Sequence, residues 1–314
     1  MSDLERAVRA VVRDCLGVAE GEEVLVVCNP ATRELGERMR AEAGKAGAEA
    51  VLAVIAERAS HAAEPPRTVA EAMAAADVVL APTVQSLSHT AARKRASEAG
   101  ARIATLPGVT EEMLARVMSA DMEGLRRKGR AVADALDTAT EARVSSASGT
   151  NLWLGLEGRE AIPDAGELTE RGAFGNLPCG EGFIAPANAH GTLVIDGSMA
   201  GVGLVADPVE LVVEAGHLTS VRGGQGMAFM ELLTEHGEDG TNVAELGIGT
   251  NEKATLTGNI LEDEKILGTA HVAFGASAAI GGTVQVPVHL DAVVMKPTVE
   301  LDGEAIVREG ELLI

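Results

Sequence analysis

The sequence predicts an α/β protein in which an N-terminal domain built on a doubly wound parallel sheet precedes a β-rich, α+β C-terminal domain with a metal site. Three observations lead to this prediction. Short apolar runs alternate with helical segments in the first half, glycines and short β-type runs dominate the second half, and histidines and carboxylates gather in the last third. We place the domains at residues 1–140 and 141–314.

The first half has a regular rhythm of strands and helices. After an amphipathic N-terminal helix, short apolar runs predict buried parallel strands at 22–29, 48–56, 77–83 and 101–108. Helices are predicted at 32–46, 68–76, 92–100 and after Thr110, a typical N-cap residue. Consecutive units of this kind form a doubly wound sheet, whose ligands lie at the carboxyl ends of the strands.

The second half follows a long helix that is predicted over Met122–Ala142. Turn pairs such as Asp196-Gly197 and Asp302-Gly303 separate short β-type runs and predict hairpins. Two further helices are predicted, around Gln225–His236 and Thr241–Leu246. These elements predict a domain made mostly of short strands.

Composition excludes several classes of function. The net charge of −21 argues against nucleic acid and anionic membranes as partners, and the aromatic content of 2% argues against recognition by stacking. The cysteines, Cys15, Cys28 and Cys179, form no CxxC pair, so neither a disulfide framework nor a thiolate zinc site is indicated. The N-terminus lacks a signal-peptide core and no run is apolar enough to span a membrane, so we expect a cytoplasmic protein.

The candidate metal ligands lie between residues 262 and 291. A run of three carboxylates is followed by His271 and then by His289 and Asp291, which strand alternation places on one face. Imidazole and carboxylate together are the usual ligands of zinc, manganese and ferrous iron. The alternative is a surface carboxylate run with two core histidines. We favour the metal site, because Asp291 lies among valines and leucines, where an unpaired charge is costly.

Two more carboxylates have a suggestive setting. Glu181 follows a Gly/Pro turn at the start of an apolar segment, and Glu245 precedes a glycine turn. Each is also an ordinary choice for a turn. The chain has no Walker A motif, no GxGxxG after its first strand and no GxSxG elbow, so nucleotide binding and serine hydrolysis lack their usual signatures.

Four ordered segments carry a family resemblance: NLPCGEGFIAP, ELGIGTN, LTGNILEDEKILGTAHVAFG and HLDAVV. They resemble the C-terminal domain of the thermophilic metalloaminopeptidases, that is, aminopeptidase T and its relatives. They are closer to a shorter branch of that superfamily, which includes the dihydroxypyridine ring-cleaving dioxygenases. The segment QSLSHTAARKRASEAGARIATLPG is similar to the shorter branch specifically.

The resemblance implies a set of metal ligands. The matching positions in this chain are Glu181, Glu264, His271, His289 and Asp291. The chain departs from the peptidases in the segment LGI, where they have a ligand glutamate and this chain has Ile248. Either Glu245 substitutes from the other side of the turn, or a second metal is absent.

Two enzymatic hypotheses follow from the resemblance, together with a non-catalytic metal-binding scaffold. The first, which we favour, is an aminopeptidase-like hydrolase of small peptides or amides, with a metal-activated water and Glu181 or Glu264 as general base. The second is a mononuclear non-haem iron(II) dioxygenase that uses His271, His289 and Asp291, with His89 as acid/base. The cofactor is a divalent metal, zinc, manganese, cobalt or iron(II). The expected partners are a small-molecule or short-peptide substrate and a second copy of the chain.

Overall fold

The structure, a computed structural model, describes residues 1–314, and the chain divides into two compact units. The first unit is Met1–Met122 with Gly166–Cys179, and the second is Glu123–Ala165 with Gly180–Ile314. Residues 166–179 return to the first unit because they supply a strand to its sheet. The division into domains 1–140 and 141–314 stays a prediction. The two units differ from it in that returning segment and in residues 123–140, which belong to the second unit.

The regular elements are numbered in chain order. The α-helices are α1 (Asp3–Arg9), α2 (Arg33–Lys45), α3 (Arg67–Ala75), α4 (Ala91–Ala99), α5 (Glu111–Val117), α6 (Met122–Thr138), α7 (Gly224–Thr234) and α8 (Ile260–Asp263). The strands are β1 (Glu23–Cys28), β2 (Glu49–Val54), β3 (Val78–Ala81), β4 (Arg102–Thr105), β5 (Glu141–Ser145), β6 (Asn151–Gly155), β7 (Ala161–Asp164), β8 (Phe174–Asn176), β9 (Glu181–Ile184), β10 (Asn188–Ile195), β11 (Ser198–Met199), β12 (Gly203–Leu204), β13 (Val209–Glu214), β14 (His217–Arg222), β15 (Val243–Gly249), β16 (Ala270–Gly275), β17 (His289–Val294), β18 (Thr298–Leu301), β19 (Glu304–Arg308) and β20 (Glu311–Leu312).

The first unit confirms the predicted parallel sheet. Its strands lie in the order β2-β1-β3-β4-β8, and all of the pairings are parallel. Helix α5 begins at the predicted cap, because the side chain of Thr110 accepts from the backbone of Met113. The side chain of Thr90 caps α4 in the same way by accepting from the backbone of Arg93. Helix α4 ends at Gly100, which has the left-handed backbone that favours glycine.

The second unit contains two antiparallel sheets. One has the order β14-β13-β10-β6-β5-β18-β19-β20, and the other has the order β12-β11-β17-β16-β15-β9-β7. The two sheets share a hydrophobic core, to which Leu152, Leu193 and Leu211 come from the first sheet and Leu246 and Val272 from the second. This confirms the predicted β-rich domain.

Two predicted helices need correction. Helix α6 ends at Thr138, and Ala142 lies in β5. The helix predicted over Thr241–Leu246 is wrong: a 3-10 turn ends at Thr241 and strand β15 follows. Thr241 and Val243 are β-branched and Gly247 follows directly, which disfavours a helix, and β9 and β16 pair with β15 on both sides. Tertiary pairing therefore decides the conformation. None of the helices combines the length and apolar composition that crossing a membrane requires.

Candidate metal centre

The candidate centre lies on one face of four neighbouring strands, β9, β15, β16 and β17. Alternate residues of these strands point to opposite faces. The hydrophobic core takes Leu246 and Ile248 from β15, Val272 from β16 and Ala292 from β17. The polar residues on the other face are Glu181, Glu245, His271, His289 and Asp291. His289 and Asp291 therefore share a strand and a face, as predicted.

Small residues make room for the polar side chains. Gly247 pairs with His271, and a Cβ atom on Gly247 would lie 2.1 Å from His271 Nε2. Ala273 pairs with Glu245 on one side and with Asp291 on the other. The imidazole of His271 thus lies against a glycine, and larger residues at these positions would block the centre.

Glu245 joins two groups of potential ligands. Nε2 of His271 lies 3.3 Å from Oε1 of Glu245, and Nε2 of His289 lies 3.5 Å from its Oε2. The first group adds Glu181, whose Oε2 is 3.2 Å from His271 Nε2, and the second adds Asp291, whose Oδ1 is 3.7 Å from His289 Nε2. Within each group the ligand-type atoms lie within 4.8 Å of one another.

The orientation of His289 suits a metal ligand. Its Nδ1 donates to the carbonyl oxygen of Ala276 at 2.7 Å, which leaves Nε2 as the atom that faces Glu245 and Asp291. A histidine that binds metal commonly donates its other ring nitrogen to a carbonyl or a carboxylate, which fixes its tautomer and its direction.

The protein leaves two buried atoms of the centre without hydrogen bonds. Oε2 of Glu181 and Nδ1 of His271 are buried and have no hydrogen-bond partner, although Glu181 and His271 are close to each other. Buried polar atoms nearly always have a partner, so such atoms need an explanation. The donor set of two imidazoles and three carboxylates fits a divalent metal of the zinc, manganese and iron(II) group.

Charge interactions within the centre are strong. Burial opposes the charged form of both histidines, but Glu181, Glu245 and Asp291 outweigh it and raise the pKa of His271 to about 9. Burial is likewise outweighed at His289, where Asp291 and Glu245 hold the pKa well above its usual value. The two imidazoles in turn hold the pKa of Glu245 below its usual value, against the effect of burial. In the metal-free protein, protons on His271 and His289 therefore occupy the position where a cation would bind.

Sequence analysis missed a buried lysine beside the centre. The side chain of Lys265 is 1% exposed, and its Nζ donates to Glu181 Oε1 and to Glu264 Oε1, the latter at 2.7 Å. Asp164 Oδ2, at the end of β7, lies 3.4 Å from the same nitrogen. The apolar flanks of the segment ILEDEKIL were a signal for burial of Lys265, whereas Asp164 had none.

The carboxylate run before Lys265 has divided roles. Glu262 accepts from the backbone and side chain of Thr255, and Asp263 accepts from Thr257 and Gly258. These two residues stabilise the loop that precedes α8. Only Glu264 of the three reaches the buried lysine, and burial raises the pKa of Glu264 to about 8, with Lys265 opposing the rise.

The interpretation of Ile248 as a lost metal ligand needs revision. Its side chain is fully buried in the hydrophobic core, on the face of β15 opposite the polar residues. Glu245 supplies the carboxylate of this strand. His89 lies in the first unit, exposed in the turn before Thr90, which caps α4. Its role as acid/base stays a prediction.

The chain is similar to known proteins over most of its length. A curated protein named 2,5-dihydroxypyridine 5,6-dioxygenase, from Pseudomonas putida KT2440, is 25% identical over 263 residues, which cover 77% of this chain and 72% of that protein. The solved structure of 2,5-dihydroxypyridine dioxygenase from the same organism matches with a TM-score of 0.86 and 20% identity, over 100% of this chain and 98% of that one. AmpT from Thermus thermophilus matches with a TM-score of 0.73 and 21% identity over 99% of both chains.

These likenesses discriminate between the two enzymatic hypotheses. The solved structures, at 20% and 21% identity, show that this chain has the same fold as both an oxygenase and AmpT. The sequence relative and the family model support the oxygenase hypothesis better than the aminopeptidase hypothesis, which the sequence alone favoured. Since the family model for NicX, 2,5-dihydroxypyridine 5,6-dioxygenase, matches residues 3–314, the chain belongs to the NicX family and is a metal-dependent enzyme.

Proposed function

We propose that this chain is a mononuclear non-haem iron(II) dioxygenase that opens the ring of a dihydroxypyridine. The observation that carries the proposal is that the buried imidazole of His271 and the partly buried imidazole of His289 face the same carboxylate, Glu245. Two histidines and a carboxylate are the minimum ligand set of non-haem iron oxygenases. Membership of the NicX family supports the substrate class.

The proposed ligands are His271, His289, Asp291 and Glu245. Nδ1 of His289 donates to the Ala276 carbonyl, so that Nε2 is available to a metal. Iron(II), when bound here, supplies the redox chemistry that lets dioxygen react with an electron-rich ring. The protein holds the ligands, excludes water from a buried face, and neutralises the charge of the cation with carboxylates.

The substrate proposal follows from the chemistry of the centre. A ring with two hydroxyl groups is rich in electrons and acidic enough to lose a proton when it approaches a cation. The chain contains no tyrosine, so a phenol of the protein takes no part in proton transfer. We propose His89 as the acid/base for the ring hydroxyl, since a histidine exchanges protons near neutral pH.

The test is the consumption of dioxygen by protein that has been loaded with iron(II) under nitrogen. With 2,5-dihydroxypyridine we expect substrate-dependent uptake of one dioxygen for each ring lost, and His289→Ala should lower the rate at least roughly 100-fold. His190→Ala is the matched control, because His190 is exposed on β10, outside the centre. Hydrolysis of amino-acid anilides without any oxygen uptake would instead support the aminopeptidase hypothesis.

A further inference from the structure

A second group of carboxylates lies next to the candidate metal centre and surrounds the ammonium group of Lys265. Glu181 and Glu264 each accept from Nζ, the latter at 2.7 Å, and Asp164 lies 3.4 Å away. The three carboxylates come from β9, from the residue after α8 and from β7. Lys265 is thus a buried cation inside a group of three oxygen-donating side chains.

The charges of this group do not balance. Three carboxylates carry three negative charges when ionised and the ammonium carries one positive charge, so the group has a formal excess of two negative charges. Removing the ammonium would leave three buried carboxylates with no cation, which is strongly unfavourable. Oxygen-rich groups of this kind bind divalent cations such as manganese and magnesium.

The backbone holds Lys265 firmly in place. Its carbonyl oxygen accepts from the backbone of Asn251 at 2.8 Å, and its own N–H donates to the carbonyl oxygen of Glu262 at 2.9 Å. The next residue, Ile266, forms a bridge with Asn251. Because the chain is fixed on both sides, the ammonium remains beside the carboxylates.

Glu181 connects the lysine to the metal centre. One carboxylate oxygen, Oε1, accepts from Lys265 Nζ, and the other, Oε2, lies 3.2 Å from His271 Nε2. The ammonium therefore fixes the direction in which Glu181 presents Oε2 to the candidate centre. A mobile cation in place of the ammonium would compete for this same carboxylate.

We propose that the ammonium of Lys265 occupies a second cation position and thereby keeps the centre at a single metal ion. Lys265 is a positioning residue: its single positive charge offsets part of the negative charge of Asp164, Glu181 and Glu264, and it orients Glu181 toward His271. The inference rests on the proposed function for the location of the first metal. The new element is that the side chain of Lys265 fills a cation position beside that first metal.

The experiment counts bound manganese(II), used as a probe for both positions, by elemental analysis and by electron paramagnetic resonance. Metal-free protein is titrated with manganese(II) and desalted. Wild type should retain one ion per chain with the spectrum of an isolated ion. Lys265→Met, which is similar in length and neutral, should retain two ions with a spectrum broadened by their proximity. Lys265→Arg, which keeps the charge, should retain one.

Further variants separate this effect from general damage. Lys128→Met is the matched control, because Lys128 pairs with Glu252 at the surface and its loss should leave one ion. The double variant with Lys265→Met and Glu264→Gln should return to one ion. If Lys265→Met does not fold without metal, manganese(II) in the refolding buffer should restore folded protein with two ions bound.

Two ions in wild type would overturn the proposal, and so would a single ion with unchanged affinity in folded Lys265→Met. Failure of Lys265→Met to fold even with manganese(II) present would also count against it, because the metal should replace the ammonium. Dioxygen consumption is measured separately. Wild type that binds one ion but consumes no dioxygen would contradict the proposed function and leave the role of Lys265 intact.

Discussion

The imidazole of His271 lies against Gly247 of the neighbouring strand, so closely that a Cβ atom on Gly247 would be 2.1 Å from Nε2. This relationship explains why β15 carries a glycine in the middle of a buried strand, where glycine weakens the strand. The empty space beside Gly247 lets the ring of His271 lie between Glu181 and Glu245.

Gly247→Ala should therefore weaken metal binding. The added methyl group would displace the ring of His271 and separate Nε2 from Glu245. Elemental analysis of protein loaded with iron(II) should show that the variant binds iron at least roughly 10-fold more weakly. Losses of this size are typical when a residue that orients a metal ligand is changed. Gly224→Ala is the control, because a Cβ atom there meets no atom within 4 Å. Normal retention in Gly247→Ala would contradict the assignment of His271 as a ligand.

Substitutions of Ile248 test the two faces of β15. Because Ile248 is fully buried in the hydrophobic core, Ile248→Glu should lower the free energy of unfolding by ~3 kcal/mol or more without raising the number of bound metals. Ile248→Val should cost about 1 kcal/mol. Urea denaturation and elemental analysis of the folded fraction measure both effects. A stable Ile248→Glu protein with an additional metal ion would show instead that Ile248 stands at a lost ligand position.

Metal binding should release protons and strengthen with rising pH. The carboxylates raise the pKa of His271 to about 9 in the metal-free protein, so at pH 7 its imidazole is protonated and must lose that proton to bind a metal. The apparent affinity should consequently increase between pH 6.5 and about 9 and level off above the pKa. Calorimetric titration with manganese(II) in two buffers of different ionisation enthalpy measures the released protons. An affinity that does not change over this range would be inconsistent with protonated histidines.

The metal-free protein should also lose stability over the same range of pH. The pKa of His271 rises on folding from its ordinary value of 6.5 to about 9, so the folded state binds this proton more tightly than the unfolded state. Its stabilising contribution is fully present below pH 6.5 and is lost as the pH rises through about 9. The burial that raises the pKa of Glu264 to about 8 acts in the same direction. Urea midpoints that stay constant or rise from pH 6.5 to 9 would refute this.

His89→Ala tests the acid/base prediction. The residue is exposed in the turn before α4, and Thr90 caps that helix, so the substitution should leave the fold intact. If His89 transfers the proton of the ring hydroxyl, turnover should fall ~10²-fold or more while metal content stays unchanged. The more conservative His89→Gln, which also cannot transfer a proton, should behave alike. Full activity in both variants would remove His89 from the mechanism.

Local patterns in the sequence predicted much of the fold and part of the centre. Alternation in VPVHLDAVV correctly placed His289 and Asp291 on one face, because strand period depends only on neighbouring residues. The same local reasoning wrongly predicted a helix over Thr241–Leu246, because β15 exists through its pairing with β9 and β16, which lie far away in the sequence.

Lys265 and its three carboxylates show even more clearly what local sequence patterns cannot predict. Lys265 and Glu181 are separated by 84 positions in the chain, and Asp164 comes from a strand at the edge of the sheet. No spacing rule connects these residues. The registers of β9 and β15 and the turn after α8 bring them together, and only the folded structure specifies those registers.

The central claim is that the centre at His271 and His289 opens a dihydroxypyridine ring with dioxygen. Labelling with ¹⁸O₂ tests it most directly. Protein loaded with iron(II) is incubated with 2,5-dihydroxypyridine under ¹⁸O₂ in ordinary water, and the product is analysed at once by mass spectrometry. The account predicts that both labelled atoms enter a product that has lost one ring bond. A product whose new oxygen comes only from water would contradict it and return the enzyme to the hydrolases.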